Sequence, residues 1–495
     1  MSAALLSYSF AKSHGVLLNT HEGAETPHCQ HLSDTPISAL MEAQRIAGQL
    51  IAFEAIDPAA FDKALSASYR DSAAEAAQMA DDDSDDLSAL AETAASVDDL
   101  LDQKDDAPVV RLINALLLEA VKDGASDVHI EVEEKRLVVR FRVDGVLRDV
   151  LEPRRALAPQ LSSRLKVMGK LDIAEKRLPQ DGRVSLRVGS YDLDVRISTL
   201  PSQFGERVVL RLLDRGQTQM GIAHLGMSER DATAFNTIIT APEGLVLVTG
   251  PTGSGKTTSL YAALNALNDR QRNILTVEDP IEYSMDGVGQ IQVNSKSGMT
   301  FARGLRAILR QDPDVIMVGE IRDGETAKIA VESAMTGHLV LSTLHTNTAI
   351  GAVSRLIDMG VERFLLAPMV RGLIAQRLVR KLCPSCRVPY EVTQADAALL
   401  SNNIEAGASV FEAKGCDECG GTGYRGRLPI YEIVVSTPAL EVMIHEGASE
   451  AELTAQARKT GAGIVQDGVQ KISEGLTTVS EVARAVREDV VAGDR

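Results

Sequence analysis

Residues 250–257 read Gly-Pro-Thr-Gly-Ser-Gly-Lys-Thr and follow the apolar run Leu245-Val246-Leu247-Val248. This is the phosphate-binding pattern G-x-x-x-x-G-K-[ST], placed directly after a strand. Such a loop turns successive backbone N–H groups toward one point, where they can hold the oxygens of a triphosphate. Its glycines permit close approaches that a Cβ would block. Lys256 is expected to reach the β- and γ-phosphates, and the Thr257 hydroxyl to ligate Mg²⁺. The candidate nucleotide-binding residues are Gly250, Pro251, Thr252, Gly253, Ser254, Gly255, Lys256, Thr257 and Thr258. The nucleotide is ATP or GTP.

Three acids and two histidines fall where they could serve that loop. The run Asp312 to Glu320 is an apolar strand ending in an acid, the shape of a Walker B element. A carboxylate there orders the Mg²⁺ shell or polarises the attacking water, so Glu320 is the candidate catalytic carboxylate. Glu278 and Asp279 end the preceding apolar strand, with Pro280 stopping it, and are expected near the metal or the water. His338 enters the strand-like run Leu339–Thr343 and His345 leaves it. A histidine beside a nucleotide can sense the phosphate, and His338 is the favoured candidate.

Cys383-Pro384-Ser385-Cys386 and Cys416-Asp417-Glu418-Cys419 form two C-x₂-C pairs separated by 29 residues. Four thiolates in tetrahedral geometry suit Zn²⁺ and leave no open position for water, so the expected site is structural. Residues 387–415 are expected to project as an inserted helical lobe. Cys29 has no partner and reads as an ordinary thiol. Arg377, Arg380, Lys381 and Arg387 lend the cysteine module some positive charge.

The elements that must position these groups follow from periodicity and composition. At 495 residues the chain is too long for one compact domain. Residues 1–75 read as a small helical domain, with apolar residues at helical spacing from Pro36 to Phe53. The Asp-rich stretch 76–107 reads as a mobile linker, since like charges repel and few large apolar groups are present. Over 108–215 an amphipathic helix (Val109–Val121) precedes alternating strands at 128–132, 137–143, 183–188, 191–197 and 206–213, an α+β domain. From 225 to 380 the apolar runs 245–249, 274–277, 315–318 and 339–343 lack polar alternation, as buried parallel strands do. Helical segments separate them, which predicts a doubly wound α/β sheet with the nucleotide at the carboxyl ends of its strands. The cysteine module (381–430) and a helical C-terminal segment (431–495) complete the chain.

Composition narrows the function classes. Residues 1–100 hold 17 acidic and 4 basic side chains, so −13 of the net −18 lies there. That balance argues against an electrostatic grip on nucleic acid. Aromatic residues are only 3% and Trp is absent, so stacking platforms for single strands are few. The first ten residues lack the charged and apolar regions of a signal peptide, and no stretch reaches the roughly 18 apolar residues needed to span a bilayer. A cytoplasmic protein is expected, touching a membrane only through partners; a reducing compartment also favours zinc over disulfides.

The order of these motifs resembles the secretion and pilus-assembly ATPases. The phosphate loop, Thr276-Val277-Glu278-Asp279-Pro280-Ile281-Glu282-Tyr283, the run 312–323 and the run 336–347 are similar to that superfamily's Walker A, Asp box, Walker B and His box. The similarity continues upstream through Leu178–Arg183 and Gly205–Val209 and covers residues 108–495. It implies a RecA-like ATPase domain preceded by a PAS-like α+β domain, using ATP, Mg²⁺ and Zn²⁺. The tetracysteine module occurs in type II secretion and pilus-extension ATPases and is missing from retraction ATPases. Tyr8–Val16 resembles the type II N-terminal domain, which favours secretion; type IV pilus extension is the alternative. The resemblance implies a homohexameric motor at the cytoplasmic face of the inner membrane. Its residues 1–100 would dock on the inner-membrane platform protein, the L component, and its strokes would drive pseudopilus growth. It also implies that Arg196 and Arg211 supply cations to the γ-phosphate. A nucleotide-dependent scaffold without hydrolysis is disfavoured by the intact loop and Glu320.

Overall fold

The computed structural model describes residues 3–4, 14–20, 28–33, 35–47, 51–57, 61, 64, 108–188, 191–214 and 221–492. The expected linker 76–107 lies outside these residues, as does most of the Tyr8–Val16 segment. The chain divides into two compact units. The first comprises Met1–Asp123, Asp127–Phe141 and Leu147–Leu212; the second comprises Gly124–Ser126, Arg142–Val146 and Leu213–Arg495.

The described residues of 1–75 combine strands with helix where the sequence predicts helix alone. Strands β1 (Ala3–Ala4), β2 (Val16–Thr20), β3 (His28–His31) and β4 (Ala52–Ala55) form a four-stranded sheet in that order, accompanied by the helix Ile37–Ala47. β3 and β4 pair in parallel, so the helix is their crossover, and Phe53 lies on β4 rather than on the helix. Only the helix carries a sequence period long enough to read; the strands are too short to show alternation. Cys29 is fully buried against Val16, Leu18, Ala39 and Ala43, and burial pushes its thiol up to about 11.

The helix Pro108–Lys122 buries Leu112, Ile113, Leu116, Leu117 and Ala120, one face at helical spacing. Six strands follow: β5 (Ala125–Val132), β6 (Leu137–Val143), β7 (Val146–Leu151), β8 (Gln180–Val188), β9 (Tyr191–Ser202) and β10 (Gly205–Asp214). They form one sheet in the order β7-β6-β5-β10-β9-β8. β8 and β9 pair antiparallel, with Val188 opposite Tyr191.

The second unit is built on a seven-stranded sheet. Its strands are β11 (Gly244–Thr249), β12 (Ile274–Glu278), β13 (Val288–Gln292), β14 (Val315–Val318), β15 (Leu339–Leu344), β16 (Val370–Leu382) and β19 (Tyr424–Val435). The order is β13-β12-β14-β15-β11-β16-β19, parallel except for the β16–β19 pair. Every residue of β11, β14 and β15 is buried, which is why these segments read as unbroken apolar runs. Helices cover both faces, and two apolar clusters fill the layers between. This is the doubly wound α/β architecture predicted. β15 lies between β11 and β14, so three carboxyl ends meet at one edge: the phosphate loop, the Glu320 turn and the His345 turn.

The cysteine module leaves the sheet along the antiparallel pair β16–β19. Its insert is not mainly helical: β17 (Val388–Glu391) and β18 (Ser409–Glu412) form a two-stranded ribbon around the short helix Gln394–Leu399. β19 runs past residue 430 to Val435, and four helices between Pro438 and Ala492 follow it. No helix among the described residues is long and apolar enough to cross a membrane.

Candidate functional site

The loop 250–255 joins β11 to the helix Lys256–Leu267. That helix begins without a side-chain cap, whereas Ser228, Thr300 and Asp323 cap three other helices of this unit. Its first-turn N–H groups therefore have no capping oxygen and remain for an anion. The loop backbone needs glycine at both ends. Gly250 has φ 145°, and a Cβ there would come within 2.4 Å of Gln376 O; Gly255 has φ 89°, and a Cβ there would lie 2.7 Å from Gln376 Nε2. Thr257 and Thr258 are exposed.

Lys256 opens the helix rather than standing on an open loop. It is 9% exposed, and its Nζ donates to Gly250 O (2.7 Å) and Pro251 O (3.0 Å). Burial, chiefly, and the charge of Arg377 lower its pKa to about 8, with Glu320 pulling upward.

Glu320 faces the loop from the end of β14. Backbone bonds fix it from both sides: Gly319 N donates to Val277 O (2.8 Å) and Ile321 N to Thr343 O (3.0 Å). Its carboxylate takes Arg322 Nη2 at 2.5 Å and lies 3.6 Å from His345 Nε2. Arg322 also reaches to 3.7 Å from Asp279, so the two acids at neighbouring strand ends share one guanidinium. Burial, first, and the charge of Lys256 hold His345 below the ordinary histidine value, with Glu320 opposing. Its imidazole is neutral at neutral pH. The Lys256 ammonium, the Glu320 carboxylate, Arg322 and His345 thus form one electrostatic group at the sheet edge.

His338 is placed elsewhere. β15 pairs with β11 so that Leu339 is opposite Gly244 and Leu344 opposite Thr249. His338 therefore lies at the amino edge of the sheet, about 20 Å from the loop edge at the usual rise per residue. Its Nδ1 donates to Ser333 O (2.8 Å) and lies 3.0 Å from Thr336 Oγ1, which closes the end of the preceding helix. Of the two histidines the structure brings His345 to the site.

Glu278 is also not where the sequence expects it. It is 2% exposed, and its carboxylate accepts from Thr276 Oγ1 (2.6 Å), Gln290 Nε2 (3.1 Å) and the Tyr261 hydroxyl. Burial, then the Glu278 charge, pushes the Tyr261 phenol well above its usual value, so it stays a donor. Residues 276 and 278 share one face of β12, and that face turns into the layer holding the phosphate-loop helix. Glu278 ties β12 to that helix. Only Asp279, exposed, remains beside Arg322.

Arg196 and Arg211 lie on β9 and β10 of the first unit. Arg211 pairs with Asp127 at 3.0 Å. The sequence signal for Arg322 was its two-residue spacing from Glu320 in an extended segment, which turns both toward one side. Nothing in the sequence marked Tyr261 or Gln376 for this site.

The four module cysteines come together, their Sγ atoms all within 4.8 Å of one another. The distances are 3.9 Å (Cys383–Cys416), 3.9 Å (Cys386–Cys419) and 3.8 Å (Cys416–Cys419). Four thiolates about 2.3 Å from a tetrahedral Zn²⁺ stand roughly 3.8 Å apart, so the cluster fits that ion. The same spacing is far too long for disulfide bonds. Burial opposes ionisation of Cys419, yet N–H donors from Cys416 and Gly423 and hydrogen bonds from Cys416 and Cys386 lower its pKa to about 6. The module's expected basic surface is mostly spent: Arg380 binds Glu481 and stacks on Tyr424, and Arg387 binds Gly475 O.

Residues 102–484 match the family described as Type II/IV secretion system protein, and residues 5–69 match the N-terminal domain of GSPII protein E. The chain is 57% identical over 486 residues to the type II secretion system protein E of Pseudomonas aeruginosa, covering 98% of this chain and 96% of that protein. It is 50% identical over 486 residues to the type II secretion system ATPase E of Vibrio cholerae, covering 98% and 97%. Among solved structures, the pilus retraction motor PilT with bound ADP aligns at 26% identity and a TM-score of 0.53, covering 75% of this chain and 96% of that one. The Legionella pneumophila ATPase DotB, at 23% identity and a TM-score of 0.57 over 79% and 98%, shares the fold.

Proposed function

This chain belongs to the type II/IV secretion system protein family as an ATP-hydrolysing secretion ATPase, and from that premise we propose that it is the hexameric cytoplasmic motor of a type II secretion machine. In this reading the loop 250–258 holds ATP, with Lys256 on the β- and γ-phosphates and Thr257 on Mg²⁺. Glu320 orients and polarises the attacking water, and neutral His345 beside it donates to the γ-phosphate. Arg196 and Arg211 deliver positive charge to the γ-phosphate. Zn²⁺ at Cys383, Cys386, Cys416 and Cys419 holds the lobe at the end of β16. Residues 1–100 dock on the inner-membrane platform protein, and turnover drives growth of a pseudopilus that pushes folded proteins across the outer membrane.

The observation that carries the catalytic part is the single sheet edge at which Lys256, Glu320 and His345 meet. The match of residues 5–69 to the N-terminal domain of GSPII protein E favours secretion over pilus extension. A gene deletion complemented with wild type, Lys256→Ala or Glu320→Gln tests it. Wild type should restore exoprotein release and neither variant should. Restoration of surface pili without exoprotein release would move the function to pilus extension, and full complementation by Lys256→Ala would remove the site.

A further inference from the structure

We infer that Arg377 and Gln376, adjacent on β16, are positioning residues for ATP hydrolysis: they form the floor of the phosphate loop and tie it to the turn that carries His345. The inference rests on the ATPase reading and deepens it at the same site.

The sequence places Arg377 with the basic residues of the cysteine module. The structure puts it beneath the loop instead, only 3% exposed. β16 is the strand next to β11, with Leu247 opposite Leu373 and Thr249 opposite Ala375. Residues 376 and 377 therefore continue the register directly under residues 250–255. Gln376 O is the atom that a Cβ at Gly250 would strike, and Arg377 Nη1 lies 3.1 Å from the same point. The Gln376 side chain passes under the far end of the loop. Its Oε1 accepts from Ser259 Oγ (2.7 Å) on the phosphate-loop helix, and its Nε2 lies under Gly255. One dipeptide thus contacts both ends of the loop.

Arg377 adds the link across the site. Its Nη1 donates to Gln376 O (3.0 Å), and its Nη2 donates to Asn347 O (2.7 Å) in the turn two residues beyond His345. A guanidinium carries its donors in a rigid fork, so it fixes the spacing between the two carbonyls it joins. An ammonium on a flexible stem supplies the charge without fixing that spacing. The Gln376 side chain holds the helix that Lys256 begins, and Arg377 holds the turn that follows His345 to the same strand. Displacing either by a fraction of an ångström would spoil the alignment in the transition state while leaving the nucleotide held by the loop amides. Arg377 therefore acts through its neighbours and is expected to govern kcat rather than KM.

The test uses the full-length chain in its active assembly, with wild type and Lys256→Ala as references. Arg377→Gln should keep its thiol-bound zinc and bind a fluorescent ADP within about threefold of wild type, while kcat falls at least about tenfold. Arg377→Lys should regain any lost nucleotide affinity and still turn over at least about tenfold slower, because it cannot hold both carbonyls. The double variant Arg377→Gln/His345→Ala should lose no more activity than the worse single variant, since both changes break one unit. A rise in KM with kcat intact, full kcat in Arg377→Lys, or additive losses in the double variant would each overturn the inference. If Arg377→Gln does not fold, Arg377→Lys and its combination with His345→Ala decide the question by the same criteria. Hydrolysis by Lys256→Ala at the wild-type rate would defeat the ATPase site itself, which is a separate failure.

Discussion

Lys256 makes two bonds that it must give up in order to work. Its ammonium donates to Gly250 O and Pro251 O, and reaching a phosphate means exchanging two neutral carbonyls for a charged acceptor. That exchange needs the proton in place, and the lysine's pKa of about 8 makes it conditional. The protonated form binds phosphate, so affinity is full below about pH 8 and declines above it. The charges facing Lys256 are Glu320 from β14, Arg377 from β16 and His345 from β15, and of these Arg377 and burial lower its value. We predict an alkaline limb in kcat/KM, which reports the free enzyme, near pH 8. The limb in kcat should lie higher, because bound phosphate favours the ammonium. A kcat/KM profile that stays flat beyond about pH 9 in the presence of Mg²⁺ would contradict it. Lys256→Ala should lose at least ~10²-fold in hydrolysis, the scale seen when a charged transition-state contact is removed. The histidines give a second prediction at this scale. His345→Ala should lower kcat about 10- to 100-fold, while His338→Ala should cost only about 1 kcal/mol of stability through its lost bond to Ser333 O. Steady-state kinetics and thermal unfolding of the two variants separate these outcomes. The sequence named both histidines and favoured the wrong one, His338, because it shows that they flank a strand and not which end of the sheet is the active one.

At the scale of elements, the cysteine lobe is held by three devices. Four sulfurs converge at its base, Arg380 and Arg484 clasp the buried Glu481 of the last helix, and Lys471 bonds Asp467 beneath Tyr431. The lobe's own elements are a two-stranded ribbon, a six-residue helix and a 3-10 turn, packed on the last helices through Val392, Leu400, Ile404 and Val410. Two strands alone are marginal in water, and a bound metal would add folding energy at the end of the lobe that this cluster does not reach. One Zn²⁺ per chain is expected by elemental analysis of protein purified without chelator. Cys383→Ser or Cys416→Ser should unfold residues 381–430, read as loss of protection in hydrogen exchange, while the loop 250–258 keeps its nucleotide affinity. Zinc-free protein with an ordered lobe would sink the assignment. The two C-x₂-C pairs made this cluster legible in the sequence, since their spacing is short and local. The ribbon was not legible, because Val388–Glu391 and Ser409–Glu412 are short strands, each paired with a partner across the whole inserted segment.

For the whole molecule, the proposed cycle needs cations from the first unit. Arg211 is occupied by Asp127, so its service to a phosphate requires that pair to open. Arg211 is exposed but Asp127 is buried, so opening the pair strips a buried carboxylate of a partner, a cost that the developing phosphoryl charge must offset. We predict that Arg196→Ala and Arg211→Ala each bind ATP and lose most hydrolysis. Specific activity should also rise with protein concentration or forced hexamerisation. A dilute monomer as active per chain as the assembled form, or full activity in either variant, would refute this.

What the sequence determined by itself was local. The glycine spacing and Lys256-Thr257, the apolar runs of β11, β12, β14 and β15, and the paired cysteines are each written within a few consecutive residues. Their physics, a tight turn, full burial and a thiolate pair, needs no distant partner to be recognised. The order of those motifs was enough to place the chain in its family. The tertiary structure decided everything that depends on which segments become neighbours. It set β15 between β11 and β14, so that His345 meets Glu320 and His338 does not. It turned Glu278 inward to Tyr261 by the alternation of a single strand. It brought β16 beneath the phosphate loop, where Arg377 lies more than a hundred residues downstream of Gly250. Strand order and side-chain facing are set by the burial of whole layers, and no window of the sequence contains a layer.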